Sequence, residues 1–138
     1  MHLVLQILAT AQALQKEAQR TFKPHALTAA QFNVLHLLSG QPAGMRASDL
    51  ARALIVDPSN VTGLLKRMKL VGLLKELANP RDRRQHVVAL SAKGRAAWGA
   101  ARIDYERKLA ALDAVLSAAN REAAEKVLLQ LTSAVATL

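Results

Sequence analysis

The segment PSNVTGLLKRMKLVGLL, residues 58–74, has the apolar periodicity of a helix that is buried on one side. The apolar residues recur at spacings of three and four: Val61, Leu64, Leu65 and Met68. Pro58 suits the first helical position, and Asp57 before it is a good N-cap. Gly72 ends the helix. The pattern therefore predicts a helix from Pro58 to about Val71.

A hairpin pattern follows this helix directly. Two short apolar runs, residues 73–78 and 86–90, flank the polar stretch NPRDRRQ at 79–85 and predict two strands joined by a polar loop. The loop carries three arginines, Arg81, Arg83 and Arg84, around one aspartate. Such a concentration of positive charge on a hairpin tip indicates an anionic partner.

A shorter helix is predicted just before residue 58. The sequence MRASDLARAL, residues 45–54, gives this helix, and a brief turn separates it from the next one. Two helices joined by such a turn are typical of a helix-turn-helix. The second helix then enters the DNA major groove, and the arginine-tipped hairpin acts as a wing beside it.

The flanking segments are helical by the same criteria. The first helix spans about 2–22 and is stopped by Pro24, and the second starts at the capping box formed by Thr28 and Gln31. Ser91 caps a helix that runs to about 115, and Ser117 or Asn120 caps the last one. The predicted fold is mainly α, a winged helix-turn-helix with four helices, a β-hairpin wing and two further helices. It forms one domain, residues 1–138.

The positive charge is concentrated in one part of the chain. The net charge is +9, and residues 58–86 contain seven Lys and Arg against two acidic residues, an excess of +5. A charge that served only solubility would be spread more evenly. A basic helix face beside a basic hairpin is the electrostatic pattern of a DNA-binding protein.

The candidate DNA contacts lie on two elements. The exposed face of the predicted recognition helix consists of Ser59, Asn60, Thr62, Gly63, Lys66 and Arg67. Gly63 has no side chain and lets the backbone approach DNA. The wing contributes Arg81, Asp82, Arg83 and Arg84, whose guanidinium groups suit the negative potential of a narrow minor groove. Asp82 has two interpretations, which are compatible with each other: it pairs with an arginine, and it forms the turn by accepting a backbone N–H.

Other functional classes find little support in the composition. The chain contains no cysteine, which excludes a disulfide framework and cysteine-bound zinc. The motifs of phosphate-binding loops, serine hydrolases and zinc proteases are missing. The four histidines lack metal-ligand spacing, and no apolar run is long enough to span a bilayer. We therefore expect a cytoplasmic protein that is not an enzyme, with no cofactor, no metal site and no membrane partner.

The sequence resembles the multiple-antibiotic-resistance-regulator (MarR) family of winged-helix transcription factors over nearly its whole length. SDLARAL and PSNVTGLLKRMKLVGLL resemble the third and the recognition helices of that family. The most specific similarity is the wing signature in NPRDRRQHVVALSAKG, with Asp82, Arg84, Leu90–Ser91 and Gly94. Leu70 and Val71 depart from the pattern, because these positions are usually polar, and are expected to pack against the wing base or another surface.

The resemblance implies a homodimer that binds double-stranded DNA. Residues 28–90 form the DNA-binding part, and residues 1–24 and 91–138 form the dimerisation part, so that helices from both termini interlock. Two recognition helices then read a pseudo-palindromic operator. The family also implies a repressor that a small, often phenolic, effector releases. The effector pocket is not assigned: Phe22, Phe32, Trp98 and Tyr105 are candidates, but a core or dimer-interface role is the simpler interpretation.

Two other functions use the same surface. A non-specific architectural DNA-binding protein would carry the same basic helix and wing but would not prefer an operator. A protein-interaction module would use the winged helix to bind another protein. DNA-binding competition and gel-shift assays separate these alternatives.

Overall fold

The computed structural model describes residues 2–54, 58–79 and 81–138 and has the expected order of four helices, a hairpin and two helices. The elements in chain order are α1 His2–Phe22, a 3₁₀ turn Lys23–His25, α2 Ala29–Ser39, α3 Ala47–Leu54, α4 Pro58–Leu70, β1 Leu74–Asn79, β2 Asp82–Leu90, α5 Ala92–Asp113 and α6 Ala118–Val135. The predicted N-cap Asp57 lies outside the described residues.

The chain forms two compact units, and the boundary between them falls within the sequence of α5. The first unit extends to Asp104 and contains the hairpin and the first four helices, and the second covers Tyr105–Leu138. The largest side chains in the core of the first unit are at most 2% exposed: Phe22, Phe32, Val34, Leu35, Leu38, Leu50, Val61 and Met68. No described helix is both long and apolar enough to cross a bilayer.

Helix caps follow the local sequence closely. The Thr28 hydroxyl accepts the Gln31 N–H at 3.1 Å, and the Gln31 side chain accepts the Thr28 N–H at 3.0 Å, which is the predicted capping box. Ser91 caps α5 by accepting the Gly94 N–H at 2.9 Å. At α6 the two candidates are resolved in favour of Ser117, which accepts the Asn120 N–H at 3.1 Å.

The connection from α1 to α2 has no signal in the sequence beyond Pro24. After the 3₁₀ turn, Ala26 adopts a left-handed conformation with φ of 56°. A non-glycine residue in this conformation is uncommon and must be held by its surroundings. His25 supplies such a restraint, because its Nε2 lies 2.7 Å from Oδ2 of Asp104 on α5.

The hairpin differs from its prediction in where the second strand begins. Strand β2 starts at Asp82 and not at His86, so Arg83 and Arg84 belong to a strand and not to a loop. The antiparallel pairing is regular from Leu74–Leu90 to Ala78–His86 and then jumps to Asn79–Asp82. Residues 83–85 therefore lie between paired positions as an irregular bulge, which sequence periodicity does not register.

A third, very short strand segment joins the hairpin. Met45 and Val88 exchange two backbone hydrogen bonds of 2.9 Å and form an isolated antiparallel bridge. Gly44 makes this possible, because its φ is +82° and a Cβ there would lie 2.7 Å from the Val88 carbonyl oxygen. The segment that leads into α3 is thereby attached to the wing.

The end of α4 is attached to the start of α5. Gly72, with φ of +81°, turns the chain after the helix. Three successive carbonyls then accept hydrogen bonds from α5 and its cap: Val71 from Lys93 Nζ at 2.6 Å, Gly72 from Ser91 Oγ at 2.5 Å, and Leu73 from Ser91 N at 3.2 Å. Gly94 lies directly over the Leu73 carbonyl.

Candidate nucleic-acid interface

Helix α4 has one buried and one exposed face, as the sequence predicts. Val61, Leu65 and Met68 are at most 4% exposed and fix the helix on the core of the first unit. The opposite face carries exposed side chains: Asn60, Thr62, Lys66 and Arg67. Ser59 belongs to α4, but its side chain lies outside the described residues. The exposed face is therefore polar and basic over about two turns.

Gly63 lies on the same helix, next to an arginine side chain. A Cβ at Gly63 would lie 3.3 Å from Nη1 of Arg67, one turn further along. The guanidinium group of Arg67 thus folds back over the bare backbone of Gly63. The absence of a side chain at Gly63 leaves room for this guanidinium group.

The wing presents its charges at the hairpin end. Arg81, Asp82 and Arg84 are exposed, whereas the side chain of Arg83 lies outside the described residues. Asp82 Oδ1 accepts the backbone N–H of Arg84 at 2.9 Å. Of the two interpretations of Asp82, the structure thus shows the turn-forming one. This bond holds the backbone at Arg84 and thereby fixes where its side chain leaves the wing.

An ion pair joins the recognition helix to the wing. Lys69 Nζ on α4 lies 2.5 Å from Oε1 of Glu76 on β1. The hydrogen bond and charge of Lys69 lower the pKa of Glu76 below its ordinary value. Leu70 and Val71, which follow Lys69, are 77% and 51% exposed, so the described wing base does not cover them.

A charged cluster that was not predicted lies at the start of helix α3. Asp49 accepts two hydrogen bonds from Arg46, at 3.0 and 3.3 Å, and one from Arg52 at 3.2 Å. The hydrogen bond from Arg46 lowers the pKa of Asp49, and the same contact raises the pKa of Arg46. The signal was present as charges of alternating sign three residues apart, at positions 46, 49 and 52, a spacing that brings side chains together at the start of a helix.

The aromatic residues have mostly structural roles. The rings of Phe22 and Phe32 stack in the core with centroids 4.2 Å apart. Trp98 is half-buried; its indole N–H donates to Nδ1 of His36 at 3.2 Å, and Arg102 lies 5.1 Å from its ring centroid. The core interpretation therefore holds for both phenylalanines. In the described part of the chain, no three His, Asp or Glu side chains are grouped so that they could hold a metal.

A cavity lies beside α4, against α2 and the end of α3. It has a volume of about 350 Å³, and its lining is provided by Ala30, Asn33, Leu54, Asn60, Val61, Leu64 and Arg67. Four of these residues are apolar, and the other three carry two amides and one guanidinium. This combination suits a small ligand with an apolar body and an acceptor or anionic group.

Known proteins are similar to this chain in both sequence and fold. The profile of the MarR family matches residues 27–86. The transcriptional activatory protein BadR of Rhodopseudomonas palustris is 36% identical over 98 residues, which are 70% of this chain and 56% of BadR. The match thus spans little more than half the length of BadR.

A second relative matches over a larger share of both chains. The homoprotocatechuate degradative operon repressor of Escherichia coli is 31% identical over 84% of this chain and 78% of its own. Among solved structures, the Mycobacterium tuberculosis regulator MosR in complex with DNA superimposes with a TM-score of 0.76. That match has 26% identity and covers 98% of each chain. The helix order, the wing and these similarities lead to one conclusion: the chain belongs to the MarR family.

Proposed function

We propose that this protein is a homodimeric, sequence-specific DNA-binding transcriptional repressor that a small effector releases from a pseudo-palindromic operator. The observation that carries the proposal is the exposed polar face of α4 beside the arginine-bearing wing. Asn60 and Thr62 near the start of α4 suit base edges, since amide and hydroxyl groups hydrogen-bond there. Lys66, Arg67 and the wing arginines suit phosphates or the minor groove.

The binding energy in this proposal is largely electrostatic. An excess of +5 within residues 58–86 attracts the phosphate backbone and releases counterions on binding. Affinity therefore falls steeply as salt rises. Sequence preference comes from the smaller set of side chains on α4 that reach base edges.

A homodimer explains the apolar side chains that each unit leaves uncovered. In the first unit, Leu3, Leu5 and Leu8 on α1 are 55–57% exposed. In the second unit, Val115, Leu129 and Val135 are 66–79% exposed. Apolar surface of this extent is typical of an interaction site, and pairing of two chains through the terminal helices would bury it.

The effector class that we propose is based on one relative and on the cavity beside α4. The E. coli relative is named as repressor of an operon for degrading homoprotocatechuate, a phenolic carboxylate. A cavity of about 350 Å³ lined by four apolar residues, two amides and Arg67 accommodates a molecule of that kind. BadR is named an activatory protein, so the sign of regulation is tested by transcription in vitro.

The proposed role contains no catalytic step. It needs DNA, a second copy of the chain and an effector, and it uses no cofactor. A regulator of this kind acts where the chromosome is, in the cytoplasm.

Fluorescence anisotropy with labelled duplexes tests the DNA-binding proposal. The protein should bind DNA from upstream of its own gene at least about 10³-fold more tightly than random DNA. Arg84→Ala should lower that affinity by about tenfold at matched salt. Lys126→Ala, which removes one exposed positive charge on α6, is the control and should leave the affinity within about twofold.

Each other outcome points to a different function. Equal affinity for both duplexes would favour the architectural protein. Absence of binding at low salt and micromolar protein would favour the protein-interaction module. A monomer in sedimentation at micromolar concentration would contradict the dimer, and unaltered binding by Arg84→Ala would contradict the role of the wing.

A further inference from the structure

A groove of about 540 Å³ lies between the wing and the segment that leads into α3. Its charged lining residues are Arg46 and Asp49 from the α3 side and Arg81 from the wing, and Gln41, Gly44 and Val87 are among the others. Two arginines from separate elements thus face one concave surface. None of the described residues that line it belongs to the recognition helix.

We infer that this groove is a phosphate-binding site for the DNA backbone, in which Arg46 and Arg81 are the contacts and Asp49 positions Arg46. The inference rests on the proposed DNA-binding function. It adds Arg46 and Asp49, neither of which is part of the recognition helix or the wing, to the interface.

The two sides of the groove are held together by the backbone. Met45, the residue before Arg46, exchanges two hydrogen bonds of 2.9 Å with Val88 of β2. The carbonyl of Arg46 accepts the N–H groups of Asp49 and Leu50, at 3.1 and 3.0 Å, and so starts α3. Arg46 is therefore fixed between a bridge to the wing and the first turn of a helix, and the groove is formed before any DNA arrives.

Asp49 determines how the Arg46 side chain is presented. Nε and Nη2 of Arg46 donate to the two carboxylate oxygens of Asp49, which is a bidentate arrangement. A guanidinium group has five N–H donors, so three remain for another acceptor. The bidentate pair reduces the rotational freedom of Arg46, so less entropy is lost when a phosphate binds.

The position in the fold identifies the anion as a DNA phosphate. In a helix-turn-helix, the first helix crosses the backbone while the second enters the groove. Helix α3 is that first helix, and the other wall of the site is the wing. A phosphate held here fixes the orientation of α4 on the duplex and carries no sequence information.

The test measures the affinity of four variants for operator and random duplexes over a range of salt concentrations. Arg46→Ala should weaken binding to both duplexes by about tenfold, and the slope of log affinity against log salt should fall by about one. Arg46→Lys retains the charge and should retain the slope with an intermediate affinity. Arg52→Ala is the matched control, because Arg52 also pairs with Asp49 but does not line the groove.

Asp49→Asn gives the sharpest result. A role in positioning Arg46 and a role through charge alone predict opposite changes in DNA affinity. Removing a negative charge beside DNA should strengthen binding if Asp49 acts through charge alone. If Asp49 positions Arg46, losing that restraint should weaken DNA binding. We expect DNA binding to weaken three- to tenfold, with nearly unchanged preference for the operator. Tighter binding by Asp49→Asn would overturn the positioning role.

The outcomes also separate this inference from the proposed function. Wild-type protein that does not bind DNA would overturn both. If wild type binds DNA and Arg46→Ala binds it equally well, only the inference that the groove holds a phosphate would be overturned. The same would follow if Arg52→Ala weakened binding as much as Arg46→Ala. If the melting temperature shows that Arg46→Ala is unfolded, Arg46→Lys decides: affinity equal to wild type would overturn the bidentate geometry.

Discussion

Replacing Gly94 with alanine should destabilise the protein although it improves helix propensity. A Cβ at Gly94 would lie 2.0 Å from the carbonyl oxygen of Leu73 and 3.0 Å from its carbonyl carbon. Both obstacles are backbone atoms and cannot rotate away. The first turn of α5 must therefore move by about 1 Å, the difference from a normal Cβ contact of at least 3.0 Å.

The cost of that movement can be worked out from the contacts it disturbs. Overpacking of a closed site costs about 1–3 kcal/mol. The two hydrogen bonds from Ser91 to the carbonyls of Gly72 and Leu73 would stretch, which costs about 1 kcal/mol each. In the opposite direction, alanine stabilises the helix by about 1 kcal/mol relative to glycine. The expected net loss is about 2–4 kcal/mol of unfolding free energy.

Urea denaturation followed by circular dichroism measures this loss, at a fixed protein concentration because a dimer unfolds in a concentration-dependent way. Gly99→Ala is the control on the same helix, because nothing lies within 4 Å of its added Cβ. It should be stabilised by about 0.5–1 kcal/mol. If Gly94→Ala were as stable as Gly99→Ala, the close contact with Leu73 would be refuted.

Three further predictions concern caps, bridges and charges. Thr28→Ala removes half of the capping box and should lower the unfolding free energy by about 1 kcal/mol, whereas Thr28→Ser should retain most of it, as measured by urea denaturation. Gly44→Ala must accommodate a φ of +82° and a Cβ 2.7 Å from the Val88 carbonyl; it should cost about 1–3 kcal/mol in the same assay. Glu76 has a lowered folded pKa, so its pairing with Lys69 stabilises the protein above the ordinary value of 4.5 and is lost as the pH falls through the folded pKa. Glu76→Gln should therefore melt below wild type at neutral pH, and the two should melt together once the pH is below the folded pKa of Glu76. A difference that persists after this carboxyl is protonated would contradict the ion pair.

Features with a local cause were predictable from the sequence. The capping box of Thr28 depends on residues three apart, and the buried face of α4 depends on apolar spacing, so both could be found in the sequence. The exposed polar face of α4 followed as the complement of its buried face. The DNA-contacting roles of that face and of the wing remain predictions until the binding experiments are done.

Features that depend on distant segments were not predictable in this way. The Met45–Val88 bridge joins single residues more than forty positions apart, and no periodic pattern marks it. Strand β2 begins at Asp82, and so includes Arg83 and Arg84, because Asp82 pairs with Asn79 beyond the irregularity in register. The groove containing Arg46 was missed for the same reason, since its second wall comes from the wing.

Three hydrogen-bonded carbonyls after α4 couple the orientation of the recognition helix to that of the start of α5. The part of α5 that belongs to the first unit, residues 92–104, is about 20 Å long. A tilt of this part by about 5° about one end displaces the other by roughly 2 Å, about half the rise of one base pair. In a two-fold dimer, substitutions along α5 that never touch DNA would therefore alter the operator spacing that the protein accepts.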